Sequence, residues 1–65
     1  MKVNGEHIDC PDMPVLDFLR AQGYVPGQVV VERNLEIILR EDFAREWLRE
    51  EDEVNILRFM GGGSL

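Results

Sequence analysis

The sequence is poor in the residues that build metal and redox sites. Its 65 residues include one cysteine, Cys10, and one histidine, His7. A single cysteine excludes a disulfide within the chain and a zinc site built from several cysteines, and one histidine cannot complete a metal site. Long apolar runs are lacking too: none approaches the ~20 residues of a membrane span, and no signal-peptide pattern is present. We therefore expect a cytoplasmic protein that binds no metal.

Positive charge is scarce as well. The chain carries 7 Lys and Arg against 13 Asp and Glu, which gives a formal net charge of −6. Because binding to nucleic acid depends on neutralising phosphates with basic side chains, this balance disfavours nucleic acid as a partner. It disfavours an anionic membrane surface for the same reason. A protein partner with a basic patch fits the overall charge better.

The length of the chain allows one small domain. A chain of this size buries only ~60% of the surface that it exposes when unfolded, which leaves little room for a deep catalytic cavity. Hydrophobic residues make up 45% of the sequence and charged residues 31%, as is usual for a folded domain. We predict a globular domain over residues 1–60 and a flexible, glycine-rich tail over residues 61–65.

Turn signals and apolar segments alternate along the first third of the chain. Asn4-Gly5 predicts a hairpin within residues 1–10, because both residues tolerate the positive φ of a type I′ turn. Residues 12–23 are predicted to form a helix that begins near a proline and ends at Gly23. Three residues at helical spacing give it an apolar stripe: Val15, Phe18 and Leu19. A helix this short must pack on a sheet.

The rest of the chain favours strands. Residues 28–33 contain three consecutive valines, which suggests a strand with apolar neighbours on both faces. A turn at Asn34 leads to a short strand over residues 36–39, and an acidic loop precedes a last strand over residues 53–59. Residues 40–48 are predicted to form a short helix or helical turn with one apolar side: Phe43, Trp47 and Leu48. This order predicts an α+β fold with a helix on one face of a sheet.

Individual reactive residues give weak signals of chemistry. Cys10 shares the predicted core side with Ile8 and has no evident helix N-terminus or cationic neighbour to activate the thiol, so we interpret it as a small core residue. His7 is out of phase with that side and is predicted to be exposed. The carboxylates of residues 50–53 fit a solvated loop better than a metal site. Glycines 61–63 lack the helix and the Lys-Ser/Thr pair of a phosphate loop.

The last strand predicts an apolar docking surface beside the tail. Val54 and Ile56 alternate with Leu57 and Phe59, so the second pair should emerge opposite the helix if the first pair packs beneath it. Scattered exposed apolar residues are common, but several that adjoin a functional tail favour a docking patch. The residues predicted to contact a partner are Val30, Leu57, Phe59 and Met60.

Three glycines, Gly61, Gly62 and Gly63, follow that strand directly. They fit a flexible terminus, and they also fit a peptide threaded into a narrow enzyme channel, because backbone without Cβ can approach an active site closely. A terminal carboxylate is a poor electrophile, and it needs an enzyme to activate it, for instance by adenylation.

Four segments carry a family resemblance that covers residues 1–63: VNGE, VVVERNLEI, LREDFAREWL and EDEVNILRFMGGG. Together they resemble the sulfur carriers of thiamine biosynthesis, the ThiS-like family of the ubiquitin-like β-grasp superfamily. The resemblance implies a mixed sheet of four to five strands with one main helix packed on one face. In that family an E1-like enzyme uses ATP to adenylate the terminal glycine, which becomes a thiocarboxylate and delivers sulfur to thiazole synthase.

The resemblance also implies roles for the tail. Gly63 becomes the acyl glycine, Gly61 and Gly62 thread into the enzyme, and the chain itself catalyses nothing and binds no cofactor. Ser64 and Leu65 follow the glycines, so we expect a peptidase to remove them unless they are a cloning remnant. Two alternatives stay open: a carrier for another pathway, such as the small subunit of molybdopterin synthase, and a β-grasp module that binds proteins without activation of its tail.

Two further departures from the family pattern concern backbone shape. Glu51 stands where the family often has a glycine, and a positive φ there would cost ~1 kcal/mol. Leu39 stands where a proline is common, and we expect it to lengthen the short strand.

Overall fold

The computed structural model describes residues 1–59. One α-helix and seven short strands occur within this range, together with two 3₁₀ helices at Pro26–Gln28 and Arg40–Asp42. In chain order the elements are β1 (Lys2–Val3), β2 (Glu6–His7), β3 (Met13–Pro14), α1 (Val15–Ala21), β4 (Val29–Arg33), β5 (Glu36–Ile38), β6 (Trp47–Leu48) and β7 (Glu53–Arg58).

Five of the strands form one mixed sheet in the order β2-β1-β7-β4-β5. Strands β1 and β7 run parallel, and the other neighbours are antiparallel. Helix α1 packs on one face of this sheet, since its predicted stripe, Val15, Phe18 and Leu19, is fully buried in one cluster with the inward residues of the strands. The predicted fold, one helix on a mixed sheet, is confirmed.

Two asparagine turns fasten the hairpins of the sheet to β7. Asn4 and Gly5 have φ of 52° and 85°, as the predicted hairpin turn requires. The Asn4 side chain accepts a hydrogen bond from the backbone N–H of Ile56 at 2.7 Å. Asn34, also at φ 52°, accepts one from the N–H of Glu53 at 3.0 Å. Each turn therefore positions β7 as well as its own hairpin.

The helix is shorter at its start than predicted. Pro14 is its N-cap, with ψ of 148°, and the helix begins at Val15. A proline disfavours helical backbone in the residue before it, so Met13 is extended and pairs as a strand instead. The predicted end is correct: Gly23 has φ of 85°, and Tyr24 donates its N–H to the Leu19 carbonyl at 2.9 Å, which completes a Schellman motif.

The segment 40–48 differs most from its prediction. Its first part is a helical turn, as predicted: the 3₁₀ helix at Arg40–Asp42 continues into a turn in which the N–H of Glu46 donates to the Asp42 carbonyl at 2.9 Å. Trp47–Leu48 instead forms strand β6, paired with β3. Neighbouring residues of a strand point to opposite sides, so Trp47 and Leu48 cannot share one. Leu48 is buried, while Trp47 is 44% exposed. The predicted apolar side is therefore wrong for Trp47 and right for Phe43, which is buried.

Smaller deviations are explained by local geometry. Leu39 adopts φ of −69°, close to the value to which proline is locked, and β5 ends before it, so it does not lengthen the strand. Glu51 is not among the described residues with positive φ, and the expected strain is not present. Cys10 is half-buried and packs against the edge of the core, and His7 is exposed as predicted. Of the three valines, Val30 is only half-buried.

Candidate functional site

Strand β7 carries the chain up to the tail. Its register on β4 pairs Arg58 with Val29 and Leu57 with Val30. Phe59 extends this pairing by one bond, since its N–H donates to the Gln28 carbonyl at 3.0 Å. The backbone is thus fixed to within two residues of the first glycine. The predicted tail residues lie outside the described residues, and their roles stay predictions: Met60, Gly61, Gly62, Gly63, Ser64 and Leu65.

Two exposed apolar side chains lie at the end of β7: Leu57 in the strand and Phe59 directly after it. Leu57 is 63% exposed and Phe59 is 46% exposed, whereas Val54 and Ile56 are buried beneath the helix. The predicted alternation is therefore correct. Val30 lies directly opposite Leu57 on the neighbouring strand. That these residues bind a partner remains a prediction.

The apolar surface extends beyond the residues that the sequence pointed to. Ile37 is 65% exposed and Leu39 is 57% exposed. Both alternate with the buried Ile38, and this period of two in residues 37–39 was the signal that sequence reasoning missed. We call the combined surface the docking face; it consists of Val30, Ile37, Leu39, Leu57 and Phe59.

A shallow open groove crosses the docking face close to the start of the tail. Four docking-face residues line it, Val30, Ile37, Leu39 and Phe59, and the buried Val29, Ile38 and Phe43 also contribute. Gly27 and Arg40 complete the lining. We call it the tail-side groove. Arg40 is the one charged residue in this lining, and it was not predicted from the sequence.

Ion pairs are concentrated at the opposite end of the sheet. The Arg33 guanidinium lies 2.9 Å from a Glu46 carboxylate oxygen, and Arg49 lies 3.7 Å from Asp12. Arg45 pairs with Asp42, whose hydrogen bond and negative charge raise the pKa of the guanidinium. Arg40 and Arg58 have no such carboxylate within ion-pair distance in the described part of the chain. Arg58 instead lies over the Tyr24 ring, 5.2 Å from its centroid.

The side-chain hydrogen bonds of His7 and Cys10 within residues 1–59 are local contacts with near neighbours in the sequence. His7 is paired with Asp9 at 3.1 Å on an exposed surface, and the Cys10 thiol lies 3.5 Å from the Pro11 carbonyl. Within residues 1–59 no cluster of three or more His, Cys, Asp or Glu residues is placed to ligate a metal. No helix in the same range has the length and apolarity to cross a bilayer.

Comparison with known families and solved structures gives consistent matches. The sequence model described as "ThiS family" matches residues 1–63. The crystal structure of a thiamine biosynthesis protein (ThiS) from Geobacter metallireducens superposes with a TM-score of 0.76 at 35% identity, covering 95% of this chain and 96% of that one. A solution structure from the same organism gives 0.75 at 35% identity, with coverage of 98% and 87%.

Two curated relatives are much longer proteins. The chain is 32% identical over 62 residues to a thiazole synthase of Magnetococcus marinus. It is 36% identical over 63 residues to a thiazole synthase of Paramagnetospirillum magneticum. These matches cover 94% and 95% of this chain, which spans only 19% of the length of each relative.

Proposed function

Because this chain belongs to the ThiS family, we propose that it is a sulfur carrier whose glycine Gly63 is activated and converted to a thiocarboxylate. An E1-like enzyme would use ATP for the activation. Once the Gly63–Ser64 peptide bond has been hydrolysed, a carboxylate oxygen of Gly63 attacks the α-phosphate of ATP, pyrophosphate leaves, and an acyl adenylate forms. Hydrosulfide then attacks the acyl carbon and displaces AMP, which carries away one oxygen of the original carboxylate, so that sulfur replaces that oxygen. The carrier supplies the acyl group and a surface for recognition, and the enzymes supply catalysis.

The observation that carries this proposal is the position of the docking face. Its residue Leu57 lies on β7, and Phe59 follows that strand two residues before the first glycine in the sequence. An enzyme that takes the glycine tail into a channel must contact the surface from which the tail emerges. Exposed apolar surface at that place supplies binding energy without occupying the channel. The absence of Cβ atoms on Gly61 and Gly62 lets the backbone pass through a narrow opening.

We further propose that the sulfur is delivered to a thiazole synthase. Support comes from the two curated relatives named thiazole synthase, in which a segment similar to nearly all of this chain forms 19% of a longer protein. A carrier-like segment within the same polypeptide would be present at a high effective concentration. In this chain the docking face would provide the corresponding contact between separate proteins.

The test of the carrier function is a change of mass at Gly63. A chain that ends at Gly63 is mixed with the adenylating enzyme, ATP and a sulfur donor, and it should gain about 16 Da when sulfur replaces oxygen. A matched chain that retains Ser64 and Leu65 should not react, because its Gly63 has no free carboxylate and a leucine side chain does not fit a channel for bare backbone. The proposal fails if the Gly63-terminated chain gains no mass with active enzyme.

A second measurement identifies the acceptor. Transfer of labelled sulfur from the thiocarboxylate to a thiazole synthase reaction supports the thiamine pathway. Transfer to a molybdopterin synthase reaction alone would assign the carrier to that pathway instead. If the chain binds the adenylating enzyme and a thiazole synthase but no thiocarboxylate forms in cells, it is a binding module without tail activation.

A further inference from the structure

No acidic side chain lines the tail-side groove, although most charged residues of the chain are acidic. The sequence has 13 Asp and Glu, and none of them lines the groove. The lining is apolar except for Arg40. A groove of this composition fits an apolar side chain that has a carboxylate beside it. Overall charge predicts the opposite, a partner with a basic patch, so the local surface and the net charge make different predictions.

Arg40 is placed within the groove without an ion pair. A Cβ built on Gly27 would lie 3.2 Å from Nη1 of Arg40, so the guanidinium lies close to the Gly27 backbone, which has no side chain there. No carboxylate lies within ion-pair distance of Arg40 in the described part of the chain, and residues 60–65 contain no Asp or Glu. Among residues 1–59 its capacity for carboxylate pairing is therefore unused.

Arg58 lies at the end of β7, on the opposite face of the sheet from Leu57. It belongs to the face of β7 that contains Val54 and Ile56, and its guanidinium lies over the Tyr24 ring. It too has no carboxylate partner in the described range. Arg33, Arg45 and Arg49, in contrast, are each within 4 Å of a carboxylate. Arg20, in the last turn of α1, has no carboxylate within ion-pair distance in this range either. Arg40 and Arg58 are the unpaired guanidiniums that lie near the end of β7.

We propose that Arg40 binds a carboxylate on the adenylating enzyme, next to an apolar side chain that fills the tail-side groove, and that Arg58 adds a weaker contact of the same kind. This inference rests on the proposed carrier function and specifies the chemistry of the partner surface. A guanidinium in apolar surroundings suits this task, since it offers several donors in a planar fork to a carboxylate and is weakly hydrated. Arg40 is exposed in the free chain, so its pairing with a carboxylate should weaken as the salt concentration rises.

The test compares two substitutions that remove the same charge. Arg40→Gln and Arg45→Gln each change the net charge by one, but only the first lies in the groove. Affinity for the adenylating enzyme is measured by calorimetry at about 50 mM and about 500 mM NaCl. We expect Arg40→Gln to raise Kd about tenfold at the lower salt concentration and less at the higher one, with little effect of Arg45→Gln. Arg40→Glu should raise Kd further, and Arg58→Gln should raise it less.

Circular dichroism and thermal melting of each variant establish that it is folded. An equal loss of affinity in Arg40→Gln and Arg45→Gln would reduce the effect to net charge and overturn the inference. The inference would also be overturned if Arg40→Glu bound the adenylating enzyme with unchanged affinity. The same holds if Arg40→Glu weakened binding to a thiazole synthase but not to the adenylating enzyme. If the unsubstituted Gly63-terminated chain gains sulfur while Arg40→Glu binds normally, only this inference fails. If that chain gains no sulfur, the carrier function fails and this inference with it.

Discussion

The two ends of strand β7 expose different kinds of surface. Where the strand begins, polar groups are satisfied within the chain: Asn34 bonds to Asp52 and Glu53, and Arg33 bonds to Glu46 and to the Trp47 carbonyl. Where it ends, apolar side chains are exposed and Arg40 and Arg58 have no carboxylate partner among residues 1–59. The first end stabilises the domain, and the second retains unused capacity for binding.

This difference follows from the size of the domain. A small domain has a modest free energy of unfolding, so each hydrogen bond that closes the sheet matters to stability. Exposed apolar groups add little to that stability and gain free energy only when a partner covers them. Substitutions at the two ends should therefore separate stability from binding.

Loss of the Arg33 side chain should have the largest effect on stability. Arg33 donates to the Trp47 carbonyl at 2.9 Å and to the Glu46 carboxylate at 2.9 Å, and its side chain is 26% exposed. Arg33→Met keeps much of the aliphatic stem but removes both bonds, which should lower the free energy of unfolding by about 2 kcal/mol. Urea denaturation measures this, with Arg45→Met as the exposed control. The proposed difference between the two ends of β7 is wrong if Arg45→Met loses as much stability as Arg33→Met. It is also wrong if Arg33→Met stays folded but no longer binds the adenylating enzyme.

Truncation of the docking face should have the next largest effect, and on binding instead. Leu57→Ala and Phe59→Ala should leave the domain folded, and at least one should weaken binding to the adenylating enzyme by more than ~1 kcal/mol, because interface energy is concentrated in a few apolar anchors. Calorimetric titration gives the affinity. Leu35→Ala is the matched control, since Leu35 is 84% exposed at the other end of the sheet. Equal affinity in all three variants would remove the docking face as a binding site.

Replacement of Leu35 by glycine should raise the free energy of unfolding, by less than the loss of the Arg33 side chain lowers it. Leu35 has φ of 72°, a conformation that costs a leucine ~1–2 kcal/mol. Leu35→Gly relieves that cost, and after the extra entropy of glycine in the unfolded chain the gain should be about 0.5–1 kcal/mol. Thermal melting should show a higher Tm. Asn34→Gly at the adjacent position should lower it, since the bonds to Asp52 and Glu53 are lost. A lower Tm for Leu35→Gly would mean that its side chain has a stabilising contact after all.

The sequence predicted those elements whose signals are local. Asn4-Gly5, the stripe of α1 and the alternation along β7 depend on neighbours a few residues apart, and the structure has all three. The pairing of β3 with β6 was missed because it joins two-residue segments far apart in the chain, for which no periodic pattern exists. Trp47 was misplaced for the same reason.

The candidate site was predictable only in part. Leu57 and Phe59 were identified from alternation within one strand, but Ile37 and Leu39 join them only through the pairing of β4 with β5. Arg40 is remote from Phe59 in sequence, and the fold alone places both in one groove. The chemistry assigned to Gly63 comes from family resemblance and lies beyond the described residues.

The smallest expected effect is that of Gly27→Ala on the free energy of unfolding. It tests whether the Arg40 guanidinium, which has no ion pair among residues 1–59, can shift to make room for a new side chain. Gly27 does not have a positive φ, and a Cβ there would lie 3.2 Å from Nη1 of Arg40. Because the guanidinium can shift by a few tenths of an ångström without breaking an ion pair, Gly27→Ala should raise the free energy of unfolding by about 0.5 kcal/mol through the unfolded chain.

Gly23→Ala is the matched control for that substitution. Its Cβ would meet no atom within 4 Å, but φ is +85°, so strain should destabilise the domain by about 1 kcal/mol. The two substitutions compare a crowded position with ordinary backbone and an open position with left-handed backbone. Thermal melting should give a higher Tm for Gly27→Ala and a lower Tm for Gly23→Ala. If Gly27→Ala destabilises the domain instead, Arg40 is held in place as firmly as Arg33. The contrast between a fixed end and an available end of β7 would then no longer hold for this residue.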